Sequence, residues 1–174
     1  MSRVFRPAIV ADIPALHDLV ESGYRGESAR RGWTHEADLL GGQRTDPAAL
    51  GEMIADPAQT ILVAQEGRAL IGCVLVAALE GQKGYLGMLT VSPMLQGGGL
   101  GRALIDAAER HARDVIGARV MEMTVIKSRR ELIDWYVRRG YLDTGREEPF
   151  PMDDVRFGLP KTSDLVFVVL GKAL

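Results

Sequence analysis

Apolar runs and helical stripes alternate along the chain in an order that predicts an α/β domain. Val4 to Val10, interrupted by Arg6 and Pro7, reads as an edge-type first strand. Asp12 is placed to cap a helix starting near Ile13-Pro14, in which Leu16, Leu19 and Val20 recur at helical spacing until Gly23 to Gly26. Tyr24 to Asp46 is a polar, glycine-punctuated connection with room for a helical turn at Glu36 to Leu40. Asp46-Pro47 pairs a capping residue with a first-turn proline and opens a second helix carrying Leu50, Met53 and Ile54, which stops near Asp56-Pro57. Thr60 to Gln65, the turn Glu66-Gly67-Arg68 and Ala69 to Leu79 form a hairpin, and Gly81 to Gly84 turns the chain into a further strand, Leu86 to Val91.

Pro93 ends that strand, and Gln96-Gly97-Gly98-Gly99-Leu100-Gly101 leads into a helix. Leu100, Ala103, Leu104, Ala107, Ala108 and His111 make its apolar face; Arg102, Asp106, Glu109, Arg110 and Arg113 make its polar one. Ala118 to Ile126 is a strand able to pair parallel with Leu86 to Val91, because a helix crosses over between them. A helix over Arg130 to Arg139 ends at Gly140, and Tyr141 to Thr144 starts another strand. Glu147 to Pro160 is predicted as an irregular excursion, and Asp164 to Gly171 as a final apolar strand. The fold class is therefore an α/β sandwich around a mixed, mostly antiparallel sheet with one parallel junction at the glycine loop. Neither a linker nor a repeat interrupts residues 1–174, which read as one domain.

Composition narrows the function classes. A net charge of −2 argues against a general nucleic-acid binder. A lone cysteine, Cys73, excludes an intrachain disulfide and sits in an apolar run as a buried, inert residue. The N-terminus lacks the apolar core of a signal peptide and no apolar run reaches membrane-spanning length, so a cytoplasmic protein without membrane contact is expected. None of the three histidines has a partner at metal-ligand spacing, and no metal is expected.

The glycine loop carries the chemistry. Glycines let backbone N–H groups approach phosphate oxygens, and the following helix N-terminus adds partial positive charge. A P-loop fails because no Lys-Ser/Thr follows the glycines, and the dinucleotide pattern fails because Leu104 stands where its third glycine belongs. The pattern Q/R-x-x-G-x-G/A is met by Gln96, Gly99 and Gly101.

On L-T-V-S-P-M-L-Q-G-G-G-L-G-R-A-L at Leu89 to Leu104, W-Y-V-R-R-G-Y at Trp135 to Tyr141 and the opening P-A-I-V-A-D-I-P-A-L, the chain resembles the Gcn5-related N-acetyltransferases (GNAT) over most of its length. The resemblance implies a twisted sheet with helices on both faces, splayed between its fourth and fifth strands to admit acetyl-CoA. The backbone at Leu89, Thr90 and Val91 would pair with the pantetheine arm. Gln96, Gly97, Gly98, Gly99, Leu100, Gly101 and Arg102 would hold the pyrophosphate. Tyr136 matches the family's tyrosine near the thioester sulfur, a general acid for the leaving thiolate. Tyr85 or Leu86 stands where several members carry a carboxylate, which leaves the base open between Glu122, Glu36 and water. Arg129 replaces an asparagine that often reaches the pantetheine, and Arg129, Arg130, Arg138 and Arg139 read as a solvated face. Trp33, Glu36 and the Pro149 to Pro160 excursion are expected to wall the acceptor site. The implied reaction moves acetyl from acetyl-CoA to a primary amine, of a small molecule or a peptide, by direct attack. The rival is a non-catalytic acyl-CoA-binding module of the same fold. The apolar Leu165 to Leu170 run is compatible with a homodimer.

Overall fold

A computed structural model describes residues 2–24, 40–41, 44–150, 159–161 and 165–174. Seven strands form one sheet: β1 (Arg3–Pro7), β3 (Gln59–Glu66), β4 (Ala69–Leu79), β5 (Lys83–Val91), β6 (Val120–Ile126), β7 (Leu142–Pro149) and β9 (Val166–Ala173). Their spatial order is β1-β3-β4-β5-β6-β9-β7. Two residues each of β2 (Leu40–Gly41) and β8 (Leu159–Pro160) pair separately, an addition that no hydrophobic pattern announces. The helices are α1 (Ile13–Tyr24), α2 (Pro47–Ala55), α3 (Leu100–His111) and α4 (Arg130–Val137).

Alternation along the central strands sorts the core into two layers, as period-2 side-chain facing requires. Ile61, Val63, Cys73 and Leu75 pack on Leu16, Leu19, Val20 and Leu50 from α1 and α2. Leu62, Ala64, Val74 and Val76 pack on Leu100, Leu104, Ile105 and Ala108 of α3. Helices thus cover both faces, and the expected cap holds: Asp46 accepts from the Ala49 N–H at 2.7 Å at the start of α2. Asp12, expected to cap α1, instead accepts from the Ile9 N–H at 2.8 Å and takes both terminal nitrogens of Arg6 at 2.7 and 2.9 Å.

Two expectations change. β7 runs through Pro149 rather than stopping at Thr144, so the predicted excursion begins inside a strand. Every β7 residue through Glu148 is exposed, so no apolar alternation marks it; its pairing with β9 is backbone hydrogen bonding interrupted between Asp143 and Glu147. Glu109 is 8% exposed rather than on the polar face of α3. It accepts from the Tyr141 hydroxyl at 2.9 Å and from Lys172 Nζ at 3.0 Å.

The sheet opens in its middle. Parallel pairing between β5 and β6 covers only Lys83 with Val120, Gly84 with Met121 and Tyr85 with Glu122. Past those pairs the strands part, and a wedge forms toward their C-terminal ends. Within the wedge, β5 carries a bulge in which Met88 and Leu89 together oppose Val74, since Cys73 pairs with Thr90 and Leu75 with Gly87. Met88 takes φ +51°, a left-handed conformation rare for its residue type. Three groups hold the bulge: the Tyr24 hydroxyl donates to the Leu89 carbonyl at 2.6 Å, Thr90 Oγ1 donates to the Met88 carbonyl at 3.1 Å, and Cys73 Sγ lies 3.6 Å from that same oxygen.

Candidate active site

The glycine loop folds as its composition dictates. Gly97 and Gly99 adopt φ of +88° and +81°, which a Cβ would oppose. Gly99 is the residue from which α3 starts, and no side chain caps that helix. Its first amides therefore have no side-chain cap, a backbone arrangement able to cradle phosphate oxygens. Gln96 Nε2 reaches back to the Val91 carbonyl at 3.5 Å and ties the loop to the end of β5. Gly101 is required for a different reason: a Cβ there would lie 3.3 Å from the Trp135 ring, so its absence lets α4 approach the loop.

A cavity of about 680 Å³ runs from this loop along β5. Leu89, Thr90, Val91, Gln96, Gly97, Gly99, Gly101 and Arg102 of the predicted donor residues line it. Gly98 does not, and Leu100 turns into the core at 1% exposure beside Leu104. Four arginines also face this cavity (Arg102, Arg129, Arg138 and Arg139), and no carboxylate does among its described lining. Arg139 stacks 4.3 Å over the Trp135 ring and donates to the Trp135 carbonyl at 3.2 Å, while its Nε is buried with no hydrogen-bond partner. Burial and the charges of Arg138 and Arg102 hold its guanidinium below the ordinary arginine value. Like charges crowded around an unsatisfied donor fit a polyanion such as a coenzyme pyrophosphate.

A second cavity, about 390 Å³, lies between the parted strands, lined by Tyr85 to Leu89 of β5 and Met123 to Ile126 of β6. It meets the first at Tyr24, Leu89, Arg129, Leu132 and Tyr136, which line both. Tyr136 thus stands at the junction of the two cavities, at 6% exposure and edge-on to Trp135 at 5.1 Å.

Glu122 lines neither cavity. Its carboxylate is 10% exposed and bridges Lys83 Nζ at 2.9 Å and Arg146 at 2.6 Å. Burial pushes its pKa up, but hydrogen bonds from Lys83 and Arg146 outweigh that and hold it below the ordinary carboxylate value. A carboxylate so paired is a weak proton acceptor. Trp33 and Glu36 lie outside the described residues. The sole thiol lines neither cavity: Cys73 is fully buried, and burial pushes it up to about 12.

Several lining residues carry no motif. Arg44 enters the second cavity because Glu21 Oε1 accepts from the Arg44 and Thr45 N–H groups at 2.7 and 2.8 Å, with the guanidinium 5.1 Å over the Tyr24 ring. Glu148, Phe150 and Phe167 arrive from β7 and β9 and the segment between them. Arg129 is not on a solvated face but 5% exposed, three residues past the end of β6. One signal points to it: ligands in open α/β sheets sit at the C-terminal ends of strands where the sheet changes direction.

A family model for the acetyltransferase (GNAT) family matches residues 16–141. An IAA acetyltransferase from Azospirillum brasilense is 30% identical over 112 residues, which span 63% of this chain and 72% of that protein. A GNAT-family acetyltransferase of known structure from Streptococcus pneumoniae superposes with a TM-score of 0.68 at 14% identity, covering 99% of this chain and 100% of that one. A mutant spermidine N-acetyltransferase from Vibrio cholerae superposes with a TM-score of 0.67 at 14% identity over 98% of this chain and 94% of its own. The splayed sheet, the glycine loop at its mouth and the match of the family model agree: this chain belongs to the acetyltransferase (GNAT) family and is an acetyl-transferring enzyme.

Proposed function

We propose that the enzyme moves acetyl from acetyl-CoA to a primary amine by direct attack. The observation that carries this reading is the pair of cavities meeting at Tyr136, one arginine-rich and floored by the glycine loop, the other amphipathic. In the first, the loop amides with Arg102, Arg138 and Arg139 hold the coenzyme phosphates, and the pantetheine arm extends along β5 past Leu89. In the second, the amine waits.

The acceptor nitrogen attacks the thioester carbonyl carbon, forming the C–N bond. The C–S bond breaks with its electron pair leaving on sulfur, the Tyr136 hydroxyl gives that thiolate its proton, and the proton shed by the acceptor nitrogen as it becomes an amide returns through solvent to the phenolate. Before attack the ammonium loses a proton. Glu148, the carboxylate among the described residues lining the acceptor cavity, is assigned that role, directly or through water. Glu122 instead ties β5, β6 and β7 together through its two cations. A covalent acetyl-enzyme through Cys73 finds no support, since that thiol is sealed in the core.

The test is calorimetric titration with acetyl-CoA, followed by thiol release on adding a panel of amines. Binding in the micromolar range with amine-dependent release is expected. Absence of acetyl-CoA binding overturns the reading.

A further inference from the structure

The names of the relatives span an IAA and a spermidine acetyltransferase, so the acceptor of this enzyme has to be read from its own cavity. We infer that the acceptor is an α-amino acid with an apolar body, its carboxylate held by Arg129 and Arg44. The inference rests on the acetyltransfer reading above.

Four observations carry it. The described charges lining the acceptor cavity are two guanidinium groups, Arg44 and Arg129, against one carboxylate, Glu148. Two guanidinium groups on one cavity offer planar donor forks to an anionic group on the acceptor. Arg44 is built into place, with Glu21 gripping its backbone and Tyr24 beneath its guanidinium. Arg129 is 5% exposed and sits at the junction, sharing both cavities with Tyr136. A carboxylate held there brings the amine on its neighbouring carbon to the junction with no linker to span. The remainder of the acceptor then meets Phe150 and Phe167, whose rings lie 5.3 Å apart, which is the surface an apolar side chain fills. A guanidinium fork also suits a carboxylate bidentately, which an asparagine at position 129 would not.

The experiment compares matched acceptors at saturating acetyl-CoA: phenylalanine, phenylalaninamide and phenethylamine; leucine and its amide; and spermidine. Because a charge-assisted pair to a desolvated carboxylate is worth about tenfold to a hundredfold, kcat/KM should favour each free amino acid over its amide or decarboxylated partner by about 30-fold. Spermidine should rank below phenylalanine. Equal rates within each set, or preference for spermidine, overturn the inference and leave acetyltransfer standing. Binding of acetyl-CoA with transfer to no member also overturns it, whereas loss of acetyl-CoA binding fails the underlying reading instead. Arg129→Gln should collapse the phenylalanine-to-phenethylamine ratio toward one, with Arg129→Lys retaining part of it. A uniform loss on both amines at constant ratio would show Arg129 to be structural and would overturn its assignment.

Discussion

Replacing Glu122 by glutamine separates a scaffold carboxylate from a proton acceptor. The substitution keeps the shape and removes the charge from the bridge to Lys83 and Arg146. Hydrogen bonds to charged groups contribute about 1.5–3 kcal/mol when shielded. Here the partners' side chains are 40% and 51% exposed, so both cations return to water when released. The cost is therefore discounted to about 1–2 kcal/mol in total. For a chain of this size that corresponds to a melting point lowered by about 2–8 °C. The pH dependence has a definite sign. Glu122 is held below its ordinary value of 4.5, so its contribution is complete above that pH and is lost as pH falls through the lower folded value. Wild type and variant should differ most near neutrality and converge in acid. Scanning calorimetry from pH 7 down to about pH 3 reads this convergence directly. Turnover should stay within about threefold, because a group that touches neither reactant contributes no transition-state contact. Glu148→Gln should show the reverse, with a melting point near that of wild type and kcat/KM lower by about 100-fold. A Glu122→Gln enzyme that melts with the wild type yet loses turnover about 100-fold refutes the reasoning and makes Glu122 the base.

Further outcomes follow from the same geometry. Tyr136→Phe should lower kcat by about 100-fold or more with acetyl-CoA affinity intact, and full turnover across the pH range would remove its hydroxyl from the mechanism. Gly99→Val forces a branched side chain into φ +81° at a strain of about 1–3 kcal/mol, so calorimetry should show weakened coenzyme binding; unchanged affinity would detach the loop from the donor site. Arg139→Gln should weaken acetyl-CoA about tenfold and flatten the salt dependence of binding, and an unaltered salt slope would place the phosphates elsewhere. Cys73→Ala should remain active, and the wild type should resist thiol reagents at neutral pH; rapid inactivation with one label on Cys73 would contradict its burial.

What was legible in the residues divides along physical lines. Apolar runs advertise buried strands: β3 and β4 appear where their runs predict them, whereas β5 starts at Lys83, inside the turn expected at Gly81 to Gly84. The loop was legible because glycine chemistry is local: φ +88° at Gly97 and +81° at Gly99 need no knowledge of the rest of the chain. The second half of β7 is silent in the residues because an exposed strand needs only a partner's backbone, and Glu147, Glu148 and Pro149 carry no apolar trace of it. Arg129 reads as a solvated charge and Arg44 carries no motif, because the placement of each depends on distant elements. Arg44 reaches its cavity through Glu21, and Arg129 through the parting of β5 from β6. Glu122 stood out as an acid among methionines, yet its cations come from the start of β5 and from β7, which no spacing relates to it.

The three-pair seam between β5 and β6 gives the molecule an unusual exchange signature. Beyond Tyr85 and Glu122, each strand keeps one hydrogen-bonded neighbour, β4 for one and β9 for the other, and turns its remaining edge into the wedge. Amides along Leu86–Val91 should therefore alternate between slow and fast deuterium uptake, residue by residue, in the centre of the sheet, where protection is ordinarily continuous. An extended ligand with amide groups of its own can enter such a gap as a temporary strand. Saturation with acetyl-CoA should erase the alternation on the β5 side, and exchange mapped at single-amide resolution would trace the path of the bound arm without a crystal.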